Sequence, residues 1–394
     1  MALPDAVASV LQASVARPSV GPTVGVALAT TKPEELAGLG AAADFHGISG
    51  YVHQATSGLD GIPDTERERL RMDRERTVAH HLRTIADLDL LRQVFNTAGI
   101  PWLVVKGPTL SGPVHGGADL RAYGDLDVLV RPTDLHHALL TLEASGAKLL
   151  DHNWTLIRDR QWGEVHVRLP MGTVLDLHWH LLNRPRLRQQ FPISLRQLFD
   201  NARSIDLAGQ DVLTPSSADT IVYIALHTML SGGHRLIWLK DLERLLSLEC
   251  VQPEQVAHTA RQWRAELALA IAVERVAQAL GSPPMASRLA IQRRGAARLW
   301  LGLARAAWRH SPAQRQDGSG SLGRLVSRST RDTGWASFYE LSRRSVSFIR
   351  ERTDWSAAQG DAHPARTDPR SGQYPSGGEA AKQAYLAEVA RYPD

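Results

Sequence analysis

Apolar positions along the chain follow a helical period through much of the first hundred residues. They shorten to strand-like runs between about residues 100 and 213, then return to a helical period. At the start, MALPDAVASVLQASVA reads as a short helix broken by RPSVGPTVG, because proline and glycine punctuate regular structure. Helical periodicity resumes in PEELAGLGAAADFHGISGYVHQA and in TERERLRMDRERTVAHHLRTIADLDLLRQVFNTAG. In the latter, Leu82, Ile85, Leu88, Leu91 and Phe95 recur at helical spacing, and Gly99 supplies the stop. Its charged first half reads as a solvated face laced with ion pairs.

The middle stretch begins with IPWLVVKG, a buried strand meeting a turn, after which Pro108 opens a short helix. DLDVLVRP is a strand stopped by Pro132. PTDLHHALLTLEASGAKL is a helix with Thr133 as its cap, Leu135, Leu139 and Leu142 on one face, and Gly146 at its end. His136 and His137 begin that helix as solvated residues. WTLIRD, GEVHVRLP and TVLDLHWHLL read as three strands, the last two joined around PMGT. This order predicts an α+β fold with a small mixed β-sheet. From Thr214-Pro215-Ser216 onward the pattern is helical: SADTIVYIALHTML, a helix from about Arg235, RAELALAIAVERVAQALG and RRGAARLWLGLARAAW. Beyond about residue 310, SPAQRQDGSGSLGR reads as a linker and GDAHPARTDPRSGQYPSGGE as disordered.

Two carboxylates interrupt the apolar strand GDLDVLV. Side chains in a strand alternate faces, so Asp125 and Asp127 point one way, while Leu126, Val128 and Val130 point into a core. Carboxylates at i and i+2 suit hard divalent cations; without one they repel and one pKa rises. In TVLDLHWHLL, Asp176 shares a face with Val174, His178 and His180. If the two strands are neighbours, three aspartates converge, as two-metal phosphoryl or nucleotidyl transfer requires. Phosphate partners are at hand in sequence: Lys106-Gly107 at the mouth of a short helix, and Arg121, four residues before Asp125.

Composition narrows the field. The net charge is +4 and no basic block is interleaved with aromatics, so the charge does not indicate a nucleic-acid binder. The single cysteine, Cys250, allows neither an internal disulfide nor a cysteine metal site, and points to a reducing, cytoplasmic setting. The N-terminus lacks a basic n-region, so no signal peptide is expected, and no apolar run reaches the ~20 residues of a membrane span.

Taken together, VVKGPTL, DLRAYGDLDVLV, VLDLHWHLL and HTMLSGGHRLIWLKDLERLL resemble the uncharacterised nucleotidyltransferase family, relatives of the DNA polymerase β superfamily, over about residues 80 to 310. The resemblance implies a nucleotidyltransferase core at 76–213. A mixed and helical segment at 1–75 precedes it, and an all-helical domain at 214–310 and a largely disordered tail at 311–394 follow. It implies Asp125, Asp127 and Asp176 as ligands of two Mg²⁺ ions, with Mn²⁺ as a substitute. Lys106-Gly107 stands where superfamily members usually present Gly-Ser. His227, His234, Arg235 and Asp241 also recur in the pattern. Arg235 or His234 is a phosphate or base contact or else an interdomain brace, Trp238 is a core residue, and Asp241 pairs with Arg235 or Lys240.

The expected reaction is attack of an acceptor hydroxyl on the α-phosphorus of an NTP, with ATP the first choice, and release of pyrophosphate. Asp176 helps deprotonate the acceptor, Asp125 and Asp127 hold the ions, and Lys106, Gly107 and Arg121 bind phosphate. The acceptor is a small molecule or, by analogy with family members linked to ribosomally made peptides, a modified peptide. Two other readings stand beside this one. A Zn²⁺ or Fe²⁺ hydrolase would use Asp176, His178 and His180, with His166 as a fourth ligand. A non-catalytic module would bind nucleotide on the same scaffold.

Overall fold

The computed structural model describes residues 2–17, 23–289, 295–308, 311–315, 322–351 and 378–393. The chain divides into two units, Met1–Ala79 with Leu110–Tyr123 and Ser217–Glu351, and His80–Thr109 with Gly124–Ser216 and Arg352–Asp394. The fold is the expected α+β class.

The first unit is helical. Its N-terminal part contains Asp5–Val15, Val24–Ala29, Leu39–His46 and Ser49–Thr56, and the larger part is built on Ser217–Ser231, Leu236–Leu245, Pro253–Gln262 and Glu266–Leu280. Helical structure continues past residue 310 in Leu322–Ser329 and Gly334–Glu351. The stretch looks poor in apolar residues because small and polar side chains make up much of the buried side of Leu322–Ser329. Gly323, Ser327 and Ser329 are buried beside Val326, and Ser327 Oγ–H donates to the Met229 carbonyl at 3.0 Å. No helix among the described residues is long and apolar enough to cross a membrane.

The second unit is built on a five-stranded sheet of β1 (Trp102–Val104), β2 (Asp125–Val130), β3 (Lys148–Leu149), β4 (Glu164–Arg168) and β5 (Val174–His178), in the order β1-β2-β5-β4-β3. Only the β2–β5 pair is parallel. One face of the sheet is apolar: Leu126, Val128, Val165, Val167, Leu175 and Leu177 pack with Leu88, Leu91 and Phe95 and with Ala138, Leu139 and Leu142. The tight β4–β5 turn is held from outside the sheet. Buried Asp87 accepts the N–H groups of Met171 at 2.9 Å and Thr173 at 3.1 Å.

Three details differ from the sequence reading. WTLIRD is not a strand: Trp154–Arg160 is a helix, capped by the Asn153 side chain accepting the Leu156 N–H, with Trp154, Leu156 and Ile157 buried. Those apolar positions fit either period over so short a run. Thr133 does not cap the next helix but lies in a 3₁₀ turn, Pro132–Asp134, that precedes Leu135–Ala144. A hairpin the pattern did not reveal joins β6 (Arg203–Leu207) to β7 (Gln210–Thr214) through Ala208-Gly209, both at positive φ.

The stretch expected to be disordered, residues 360–379, lies outside the described residues apart from its last two. It is followed by a helix, Gly378–Val389, whose Tyr385, Leu386 and Val389 join the second unit's core. The Tyr385 hydroxyl donates to the Trp162 carbonyl and accepts from Trp179 Nε1–H, each at 2.7 Å.

Candidate metal centre

The polar face of the sheet is set by register. In the β2–β5 pair Asp127 stands opposite Asp176; in the β5–β4 pair Asp176 stands opposite His166, and His178 opposite Glu164. Facing partners share a side of the sheet. Asp125, Asp127, Asp176, His178, His166 and Glu164 therefore share the face opposite the apolar core. After β1 the chain turns at Lys106-Gly107, with Gly107 at φ +70, in the left-handed region that favours glycine. The Val105 N–H donates to the Asp127 carbonyl, which ties that turn to β2.

Two chains of contacts cross the face. Asp127 Oδ1 lies 2.8 Å from Lys106 Nζ and 3.0 Å from His178 Nε2, and His178 Nδ1 lies 3.3 Å from Glu164 Oε2. In parallel, fully buried Asp151 accepts from the backbone N–H of His166 at 2.8 Å and faces its Nδ1 at 2.9 Å. The ring's Nε2 is then 3.6 Å from Asp176 Oδ1.

The two opposed aspartates are driven apart electrostatically. Burial raises Asp176, the charges of Asp125 and Asp127 raise it further, and His166 and His178 only partly offset this, leaving its pKa at about 7. Burial acts the same way on Asp127, but Lys106 and His178 outweigh it and hold the carboxyl well below the usual range. Burial lowers the two imidazoles, yet both end above their ordinary value, His166 through Asp151 and His178 through Asp127 and Glu164. A site with one carboxylate pushed up by its neighbours is one that a divalent cation would stabilise. Ligand atoms of Asp127, Asp176 and His178 lie within 4.8 Å of one another, so a single cation can reach all three.

The sequence model of a family described as uncharacterised nucleotidyltransferase matches residues 33–281. The chain belongs to this nucleotidyltransferase family. No curated protein matches it. The family makes it a transferase of nucleotide groups, and the match spans every residue of the cluster above.

Several residues singled out in this nucleotidyltransferase's sequence have other partners. Arg121 belongs to the first unit, where it grips Asp241 with two hydrogen bonds, Nε–H to Oδ1 at 2.6 Å and a second to Oδ2 at 2.9 Å. His115 Nε2 meets the same carboxylate at 2.8 Å, and its Nδ1 meets the Tyr51 hydroxyl at 2.7 Å. Asp241 thus pairs with Arg121 and His115, not with Arg235 or Lys240. Burial alone would raise it, but these partners hold its pKa at about 2. Arg235 donates to the Phe45 carbonyl at 2.7 Å and lies over the rings of Phe45 and Trp238. The His234 ring stands edge-on to Trp238.

His180 lies beyond the end of β5. Its Nδ1 accepts the Leu182 N–H at 3.0 Å, its ring sits beside Trp179 and Tyr392, and burial lowers its pKa to about 3. The Asp176, His178 and His180 trio of the hydrolase reading is therefore not assembled, and Asp127 stands where that reading placed His180. The sequence reading missed Glu164 and Asp151. The alternation EVHVR, with polar residues at every second position, is the one local sign of Glu164; nothing local marks Asp151.

Proposed function

We propose that the enzyme moves a nucleoside monophosphate from an NTP, ATP first among them, to a hydroxyl-bearing acceptor in a Mg²⁺- or Mn²⁺-dependent reaction. The observation that carries this reading is the parallel β2–β5 pairing, which sets Asp127 against Asp176 on a buried face; burial first, then the charges of Asp125 and Asp127, raises the Asp176 pKa to about 7. Asp127 and Asp176, with Asp125 on the same face, would hold the cation. When bound, it supplies positive charge to the triphosphate and the leaving group.

The chain's own groups do the rest. The acceptor oxygen forms a bond to the α-phosphorus while the bond from that phosphorus to the bridging oxygen breaks and pyrophosphate departs. Asp176 would take the hydroxyl proton. Lys106, which lies against Asp127 at the edge of the face, would bind phosphate oxygens, and Gly107 would let the backbone approach them closely. Cys250 is a free, exposed thiol, in keeping with a cytoplasmic setting.

The test compares label transfer to an acceptor from α- and γ-labelled NTPs in cell extract, with Asp127→Asn as control. Transfer of the α label by wild type alone supports the reading. Transfer of the γ label would make the enzyme a phosphoryl transferase instead. If neither label moves, or if the variant matches wild type, the reading fails.

A further inference from the structure

We propose that His178 is itself a cation ligand, giving a nitrogen to a site otherwise built of carboxylate oxygens, and that Glu164 is the positioning residue that aims that nitrogen. This rests on the divalent-cation reading above. The two ring nitrogens each face an acidic oxygen: Nε2 is hydrogen-bonded to Asp127 Oδ1 at 3.0 Å, and Nδ1 lies at ion-pair distance, 3.3 Å, from Glu164 Oε2 without hydrogen-bond alignment. A neutral imidazole has one N–H and one lone pair. With Nε2 given to a cation that Asp127 also holds, the ring would keep its N–H on Nδ1, toward Glu164.

Carboxylate, imidazole and metal in series is a recurrent way to fix a ligating ring. Here the series is held by backbone pairing, since Glu164 and His178 are register partners in the β4–β5 ladder. Glu164 is fixed in turn by the Asn183 side-chain amide, which donates to Oε1. His166 has a similar carboxylate behind it in Asp151, but its Nε2 reaches toward Asp176 only at 3.6 Å. Among the described residues, the cluster whose ligand atoms one cation can span is Asp127, Asp176 and His178.

The consequence is a metal preference. Pure carboxylate sites suit Mg²⁺, whereas an imidazole nitrogen favours later divalent ions, so the site should prefer Mn²⁺ to Mg²⁺. The experiment titrates Mn²⁺ into the full chain and records pulsed EPR spectra, which register a directly bound ¹⁴N, for wild type, His178→Asn, His166→Asn and Glu164→Gln. Bound Mn²⁺ in wild type should show nitrogen coupling that persists in His166→Asn and vanishes in His178→Asn. Mn²⁺ affinity in His178→Asn should fall by about tenfold or more, with a smaller change for Mg²⁺. Glu164→Gln should keep the coupling and lose about tenfold in affinity.

Bound Mn²⁺ without nitrogen coupling in wild type overturns the proposal and leaves the cation reading standing; this result needs no variant to fold. Coupling lost in His166→Asn and kept in His178→Asn overturns it too. No Mn²⁺ binding by wild type, with or without NTP, overturns both.

Discussion

Asp176→Asn should make the cation-free protein more stable and at the same time abolish its response to cations. In the folded chain the Asp176 carboxyl titrates at about 7, against an ordinary value of 3.8, because it is buried beside Asp125 and Asp127. Each tenfold change in ionisation constant is worth about 1.4 kcal/mol, so the full displacement corresponds to about 4 kcal/mol. Rearrangement of the neighbouring charges once the carboxylate is gone reduces the expected gain to about 2–4 kcal/mol. The sign follows from proton binding. Between about pH 4 and pH 7 the folded state holds a proton that the unfolded chain has released, so wild-type stability falls as pH rises through that window and levels off above it.

Asparagine keeps the shape and carries no charge. The variant should match wild type near pH 4 and exceed it most at pH 8. The assay is chemical denaturation in EDTA at pH 4, 6 and 8, repeated at pH 8 with Mn²⁺. Added cation should stabilise wild type by RT ln(1 + [M]/Kd) and leave Asp176→Asn unmoved. A variant no more stable than wild type in EDTA at pH 8, or a difference of equal size at pH 4 and pH 8, would refute the electrostatic reasoning.

Asp87→Ala removes the acceptor for two N–H groups at the β4–β5 turn and should cost about 2–3 kcal/mol in urea denaturation, because a buried charged acceptor is lost. Asp241→Asn breaks the contacts to Arg121 and His115 and should cost about 3–5 kcal/mol, since a buried arginine loses its counter-charge; a change below 1 kcal/mol would mean the pair is dispensable. Deleting residues 378–394 strips Tyr385, Leu386 and Val389 from the core. It should lower the melting temperature of the second unit, read by the near-ultraviolet signal of Trp162 and Trp179, although the family match ends at residue 281.

The positions of the three aspartates were legible because strand alternation is a local rule: Asp125, Asp127 and Asp176 needed only a period of two to be placed on faces. Which of them meet was not legible, since the order β1-β2-β5-β4-β3 brings β5, not the next strand in the chain, beside β2. Extending the same period to His180 failed because β5 ends at His178, and past that point alternation no longer governs direction. Arg121 shows the limit of nearness in sequence. It stands four positions before Asp125, yet it pairs with Asp241, 120 positions away.

The largest omission lay on β4, where the strand and His166 were legible but Glu164 was not. Glu164 there faces His178, and His166 stands between Asp151 and Asp176. A search for cation ligands along the sequence finds residues whose own chemistry suits a metal. Residues that aim those ligands are defined by a register partner, and register belongs to the pairing of two strands, not to either strand alone. Testing Glu164 is therefore the direct way to learn whether β4 completes the site or only flanks it.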